Sequence, residues 1–266
     1  MKLYFKNIIR VLVSLFIFLF MFSNFEAPHE FQHKSMSYGN GEPFFQKYEN
    51  FLSPIECQYL SKKTKYHPKN VKGAGLGSGF QNLHGFTTIF KNKLKAKEMF
   101  TRNLNLPTIW DIFERVILPD SNAFVINTLI IKKSSKSNAA VYPHYDDTLG
   151  VTTGIFKRDT LARYINILYI KLPHDMKNGN FVAWKKGIST THEIARPIGL
   201  VEFLPVQKPV VYENPKVGTL LKIRGDMYHK VEPFMTNTDD DRISIVIEEY
   251  ICTDSELAQI IDYEIN

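Results

Sequence analysis

Cysteine is almost absent. Cys57 and Cys252 are the only two in 266 residues, so at most one internal disulfide can form and an apolar core, drawn from 44% hydrophobic residues, must hold the fold. Charge of one sign is also scarce: the formal net charge is +6, and Lys2, Lys6 and Arg10 lie in the first few residues rather than in the globular part. That balance gives no basis for nucleic-acid binding. Lysines do cluster at Lys62-Lys63-Lys65, Lys132-Lys133-Lys136 and Lys185-Lys186, where a solvated face is the plainer reading and attraction of an acidic substrate the functional one. The apolar run from Val11 to Phe22 is shorter than the roughly 20 residues of a membrane-spanning helix. No Asn-x-Ser/Thr sequon, internal repeat or long low-complexity tract is present.

What is present divides into three parts. Residues 1–25, with a basic start and then the apolar run, have the pattern of a secretory signal. No small-x-small cleavage site follows, so a retained signal anchor, extended by Ile8 and Ile9, stands beside a removed peptide as the expectation. Either places the protein in the secretory pathway, in the endoplasmic reticulum or Golgi lumen or outside the cell, with membrane contact only through this segment. Residues 26–45 are polar and punctuated by Gly and Pro, as in a linker. Residues 46–266 form one expected domain. Its first part, 46–118, reads as helical support: "FLSPIECQYLSKKTK" offers Ser53 as cap, Pro54 in the first turn and Glu56 to complete a capping box over Pro54 to Lys65, and further helices are expected near Leu94 to Leu104 and Thr108 to Val116. From 120 to 254 short β-rich runs follow one another, among them "AFVINTLIIKK", "RYINILYIK" and "RISIVIEEYI". The expected fold class is mainly β with helical support (α+β), a sandwich or jelly roll behind N-terminal helices.

Among possible catalytic motifs, "HEFQH" at 29–33 matches the H-E-x-x-H of zinc proteases, but that chemistry needs a stable helix. Pro28 precedes the motif and Gly39 and Gly41 follow, so coincidence is the better reading. His144-Tyr145-Asp146 has a β context instead. Residues i and i+2 of a strand share a face, which lets the imidazole and the carboxylate meet one ion while Tyr145 and Asp147 point away. The third ligand expected is His229 in "GTLLKIRGDMYHKVEP"; two histidines and one carboxylate make the facial triad of non-haem Fe(II) oxygenases. Further on, Arg242 and Ser244 in "DRISIVIEEY" share one strand face. A guanidinium turned inward requires an anion, and its fork suits a carboxylate. An outward Arg on an edge strand is the plain alternative.

These residues resemble the iron(II)- and 2-oxoglutarate-dependent dioxygenases, most closely the prolyl 4-hydroxylase-like branch. His144, Asp146, His229 and Arg242 follow its H-x-D, H, R order. "NILYIKLPHDMKNGNFVAW" is similar to its strand-loop-strand segment, with Gly179-Asn180 where Gly-Gly is usual; "NPKVGTLLKIRGDMYHKVEP" and "FLSPIECQYL" also resemble it. The resemblance covers about residues 51–62 and 120–252. It implies a double-stranded β-helix in which His144, Asp146 and His229 bind Fe(II), Arg242 and Ser244 hold the far carboxylate of 2-oxoglutarate, and Tyr169 stands where a co-substrate tyrosine lies. It further implies use of O2, release of succinate and CO2, and L-ascorbate as a reductant. The substrate it suggests is peptidyl proline or another peptide. A small molecule hydroxylated by the same chemistry, and a non-catalytic jelly-roll binding module, remain as alternatives. Lys132 and Arg163 are the next anchors should Arg242 point outward.

Overall fold

The computed structural model describes residues 38, 39, 41–76, 80, 83–132, 140–153, 158–185, 190–193, 202–205 and 208–266. The expected leader, the H-E-x-x-H match, and Lys133, Lys136 and Lys186 of the lysine clusters lie outside them. Helix α1 (Pro54–Lys65) begins as its capping box requires: Ser53 accepts from the Glu56 amide, and the Glu56 carboxylate accepts from Ser53 N at 2.8 Å. The stretch expected as a helix near Leu94 to Leu104 is instead a short α2 (Lys93–Glu98) that widens into a π-helical turn over Met99–Asn103. Helix α3 (Pro107–Val116) carries Pro107 in its first turn and buries one stripe, Ile109, Trp110, Ile112, Phe113 and Val116.

The strands are β1 (Phe45–Tyr48), β2 (Val71–Lys72), β3 (Leu83–Phe90), β4 (Ala123–Ile131), β5 (Val141–His144), β6 (Tyr164–Lys171), β7 (Phe181–Trp184), β8 (Val211–Glu213), β9 (Leu220–Arg224), β10 (Tyr228–Val231), β11 (Arg242–Tyr250) and β12 (Tyr263–Ile265), with three two-stranded ladders outside the main sheets. An eight-stranded sheet runs β1-β9-β6-β11-β4-β3-β12, with β2 on β3, and a four-stranded sheet runs β8-β7-β10-β5. From β4 to β11 the chain passes back and forth between the two sheets, and every pairing is antiparallel. That is a double-stranded β-helix. The helical support expected over 46–118 also contains β1, β2 and β3, which extend the larger sheet beyond the barrel. Strand β3, "LHGFTTIF", is nearly all buried and so has no polar-apolar alternation to announce it. The stretch read as linker ends where β1 begins, and Glu42 within it already pairs with Arg163 at 3.0 Å.

Two apolar cores result, one on each face of the larger sheet. Ile243, Ile245 and Ile247 of β11 pack outward with α3, whereas Val246 and Tyr250 face the barrel interior with Ile165, Ile167 and Tyr169 of β6. Each fully buried Leu, Ile or Phe stabilises by about 1.5–3 kcal/mol, so these cores hold the sheet rigid on both sides. Cys57 lies in the outer core and Cys252 in the inner one, and no disulfide joins them.

Candidate metal centre

His144 ends β5, the edge strand of the smaller sheet, and Asp146 follows in the bend after it. Pro143 has no amide to give to a ladder, and β5 accommodates it at an irregularity opposite β10, between the pairs His229↔His144 and Val231↔Val141. The facing pair His144 and His229 therefore projects to one side, with ring centroids 4.4 Å apart. Tyr145 turns to the opposite face and packs on Tyr228 at 5.0 Å, as alternation predicts.

His229 arrives on β10 after a tight turn that carries the chain from the larger sheet to the smaller one. Gly225 sits against the main chain of Ala162, where an added Cβ would stand 1.6 Å from the carbonyl oxygen. Arg224 grips Asp226 through two bonds, of 3.0 and 2.6 Å. His229 is thereby placed beside Ala183 of β7, whose small side chain leaves room for the imidazole.

Asp146 bridges the two rings. Its Oδ1 is 3.3 Å from His144 Nε2, and its Oδ2 is 3.3 Å from His229 Nε2. All three donor atoms lie within 4.8 Å of one another. Bonds near 2 Å put the donors of one ion within about 4 Å of one another, so closing on one ion takes a shift of under about 1 Å. Each ring is oriented through its other nitrogen: Nδ1 donates to the Tyr142 carbonyl in His144 at 2.7 Å and to the Met227 carbonyl in His229 at 3.0 Å. That leaves each Nε2 as a lone-pair donor facing the centre, the arrangement metal-binding histidines use. Burial, reinforced by neighbouring His144, pulls His229 down to about 4, so it is neutral at pH 7. Burial also opposes ionisation of Asp146, but the two imidazoles outweigh it and its pKa falls. Two imidazoles and one carboxylate, preorganised and partly desolvated, fit a divalent transition metal.

The same cavity holds Arg242 and Ser244. Its walls enclose about 540 Å³ including the mouth and are mainly apolar, with Leu129, Ile131, Ile165, Ile167 and Val246 among them. Strand β11 lies between β4 and β6, so Arg242 is not an edge residue, and its side chain is 1% exposed. It donates to the Gly179 carbonyl and lies over the Tyr169 ring at 5.1 Å. Gly179 has φ +78°, and a Cβ there would stand 3.2 Å from Arg242 Nη1. Neighbouring Asp241 points the other way, to Lys65 at 2.7 Å. Among the described residues no carboxylate pairs with Arg242, its Nε lacks a hydrogen-bond partner, and the Tyr169 hydroxyl has only the guanidinium beside it. Burial raises the Tyr169 phenol, with Arg242 pulling the other way, so the hydroxyl stays a donor. Arg163, the alternative anchor, is occupied by Glu42, and Lys132 lies in a separate cleft with Lys65 and Asp239–Asp241. Sequence reasoning missed a polar group in the same barrel: Asn127, Thr148, Glu248 and Tyr250. Only the place of Glu248 in the Arg242-Ser244 alternation pointed to it.

No family model matches the chain, and neither does any curated protein. Among solved structures, similar chains include a 2OG-Fe(II) oxygenase family oxidoreductase from Burkholderia pseudomallei, 12% identical over 79% of this chain and 86% of that one at a TM-score of 0.43. A prolyl-4-hydroxylase from Pseudomonas putida is 13% identical over 79% and 94% at 0.38. The viral collagen prolyl hydroxylase of Paramecium Bursaria Chlorella virus-1, in its 2OG complex, is 11% identical over 80% and 98% at 0.38. At such scores the architecture rests on the strand order above.

Proposed function

We propose that this chain is an iron(II)- and 2-oxoglutarate-dependent dioxygenase that hydroxylates an organic substrate. One observation carries the reading: a single buried cavity joins a two-histidine, one-carboxylate donor set to a guanidinium with no anion of its own among the described residues. Three protein donors leave the remaining positions of a six-coordinate metal open, and a single carboxylate against a divalent ion leaves positive charge for an anionic co-substrate. Bound iron(II) would supply O2 activation coupled to oxidative decarboxylation of 2-oxoglutarate to succinate and CO2. The chain does the rest. His144, Asp146 and His229 hold the ion; Arg242 takes the far carboxylate through its fork, and Ser244 and Tyr169 add hydrogen bonds to it. The apolar walls keep water from these charges, which strengthens each contact.

Peptidyl proline is the favoured substrate, on the likeness of the H-x-D, H, R segments to the prolyl 4-hydroxylase-like branch. The small-molecule reading has its own support: Phe80 stands edge-on over His144 at 5.2 Å and, with Leu76, narrows the cavity. We also propose a secretory-pathway location, on the strength of the basic start and the Val11–Phe22 run. L-ascorbate is the reductant proposed for this chemistry. The test is turnover of 2-oxoglutarate with Fe(II) and O2 against proline-containing peptides and small molecules, reading product mass. One substrate should gain a single oxygen atom. A non-catalytic binding module would bind the metal yet form no succinate with any member of the panel.

A further inference from the structure

The barrel holds an acid that the proposed chemistry does not use. Glu248 of β11 is fully buried, on the same inward face as Arg242 and Ser244. Its Oε1 accepts from Asn127 Nδ2 at 2.7 Å and from Thr148 Oγ1 at 3.0 Å, and its Oε2 accepts from the Tyr250 hydroxyl. Asn127 is itself fixed, with Oδ1 2.8 Å from Thr87 Oγ1. A carboxyl buried in an apolar barrel costs more than a methyl-bearing side chain of the same volume, so its bonds must serve a position that packing alone does not set. Two of those bonded partners, Asn127 and Thr148, line the metal cavity.

Thr148 is the link. It lies two residues beyond Asp146 in the bend after β5. The bend's main chain is tied by Ala162 N to the Asp146 carbonyl and by Gly150 N to the Asp147 carbonyl, each at 2.9 Å. Among the described residues the Asp146 carboxylate pairs only with the two imidazoles, and its Oδ2 accepts no hydrogen bond. Its direction is therefore set by how firmly the bend is held against β4 and β11.

We infer that Glu248 is a positioning residue for the metal site: through Thr148 it anchors the bend that carries Asp146, so the carboxylate faces His144 and His229 before an ion arrives. The inference rests on the metal reading of the triad. Groups that orient a metal ligand from behind change metal affinity by about 10–100-fold when removed.

The experiment titrates the full chain with Co(II), followed by calorimetry and visible absorption, beside far-UV circular dichroism as the check of fold. Wild type should bind one Co(II) and Asp146→Ala should not; failure of either removes the metal reading and this inference with it. Given both, Glu248→Leu should weaken Co(II) binding by about 10–100-fold and change the visible spectrum. Glu248→Gln should stay near wild type, because an amide of the same shape keeps the acceptor for Asn127 and Thr148. Thr148→Val, which removes one hydroxyl, should shift affinity and spectrum the same way as the Leu variant. The inference is overturned if the folded Leu and Val variants bind Co(II) as wild type does, or if Gln fails as Leu does. Should Glu248→Leu not fold, Thr148→Val decides alone: weakened binding supports the inference and unchanged binding ends it.

Discussion

At the residue scale the co-substrate proposal rests on Arg242. A guanidinium 1% exposed with no carboxylate beside it among the described residues is costly unless an anion arrives, and the cavity leads from it to the metal donors. A charge-assisted bond to a carboxylate contributes about 1.5–3 kcal/mol, and 1.4 kcal/mol is a factor of about ten. Arg242→Ala should therefore raise the 2-oxoglutarate dissociation constant at least about tenfold at saturating metal, measured calorimetrically without O2, and leave Co(II) affinity alone. Arg242→Lys should fall between, keeping charge but losing the fork. Unchanged 2-oxoglutarate binding in Arg242→Ala would remove the anchor. The inward placement of this residue and the gathering of the triad were legible in the sequence, the first because a lone charge within an apolar strand demands a partner and the second because the strand alternation that sets His144 carries on to Asp146, which the structure places just past the strand's end. The inward direction of Glu248 followed the same alternation, but its bonds to Asn127 and Thr148 were not legible, since these are ordinary polar residues on another strand and in a turn.

At the scale of elements, the turn from β9 to β10 delivers His229, and Gly225 lets it pass the Ala162 main chain. Gly225→Ala should cost about 3 kcal/mol or more, a loss read by urea unfolding, because the obstruction is backbone. A cost under about 1 kcal/mol would mean that the turn is not so constrained. The chain just past helix α1 supplies a second test through His67, whose ring lies tilted against Phe86 at 4.8 Å and whose Nε2 is 3.0 Å from the Leu104 carbonyl. Burial lowers its pKa, so below the unfolded value of about 6.5 the unfolded chain binds the proton more readily. Stability should fall as pH drops from about 6.5 toward the folded pKa, and His67→Phe should flatten that part of the slope, read as melting temperature between pH 7.5 and 5. A slope unchanged in the variant would assign the effect to other groups. Capping made α1 readable to the residue, whereas β3 and the π-turn after α2 were not, because tertiary burial rather than local pattern decides both.

At the scale of the whole molecule, β-rich runs in the second half indicated a jelly roll, and the alternation of β4 to β11 between two sheets bears that out. The order of the strands was not readable, since pairing across long separations leaves no local mark. Nor was the way β1, β2, β3 and β12 lengthen the larger sheet, which gives β9 and β4 partners on both sides and makes the site's floor rigid. The central claim is that this barrel brings iron(II), 2-oxoglutarate and O2 together, and the most direct measurement is succinate released from 2-oxoglutarate by the purified chain. The account predicts succinate formation that requires Fe(II), is lost in Asp146→Ala and His229→Ala, and returns in Arg242→Ala only when 2-oxoglutarate is raised about tenfold or more. Succinate formed equally well without Fe(II), or by Asp146→Ala as by wild type, would contradict it.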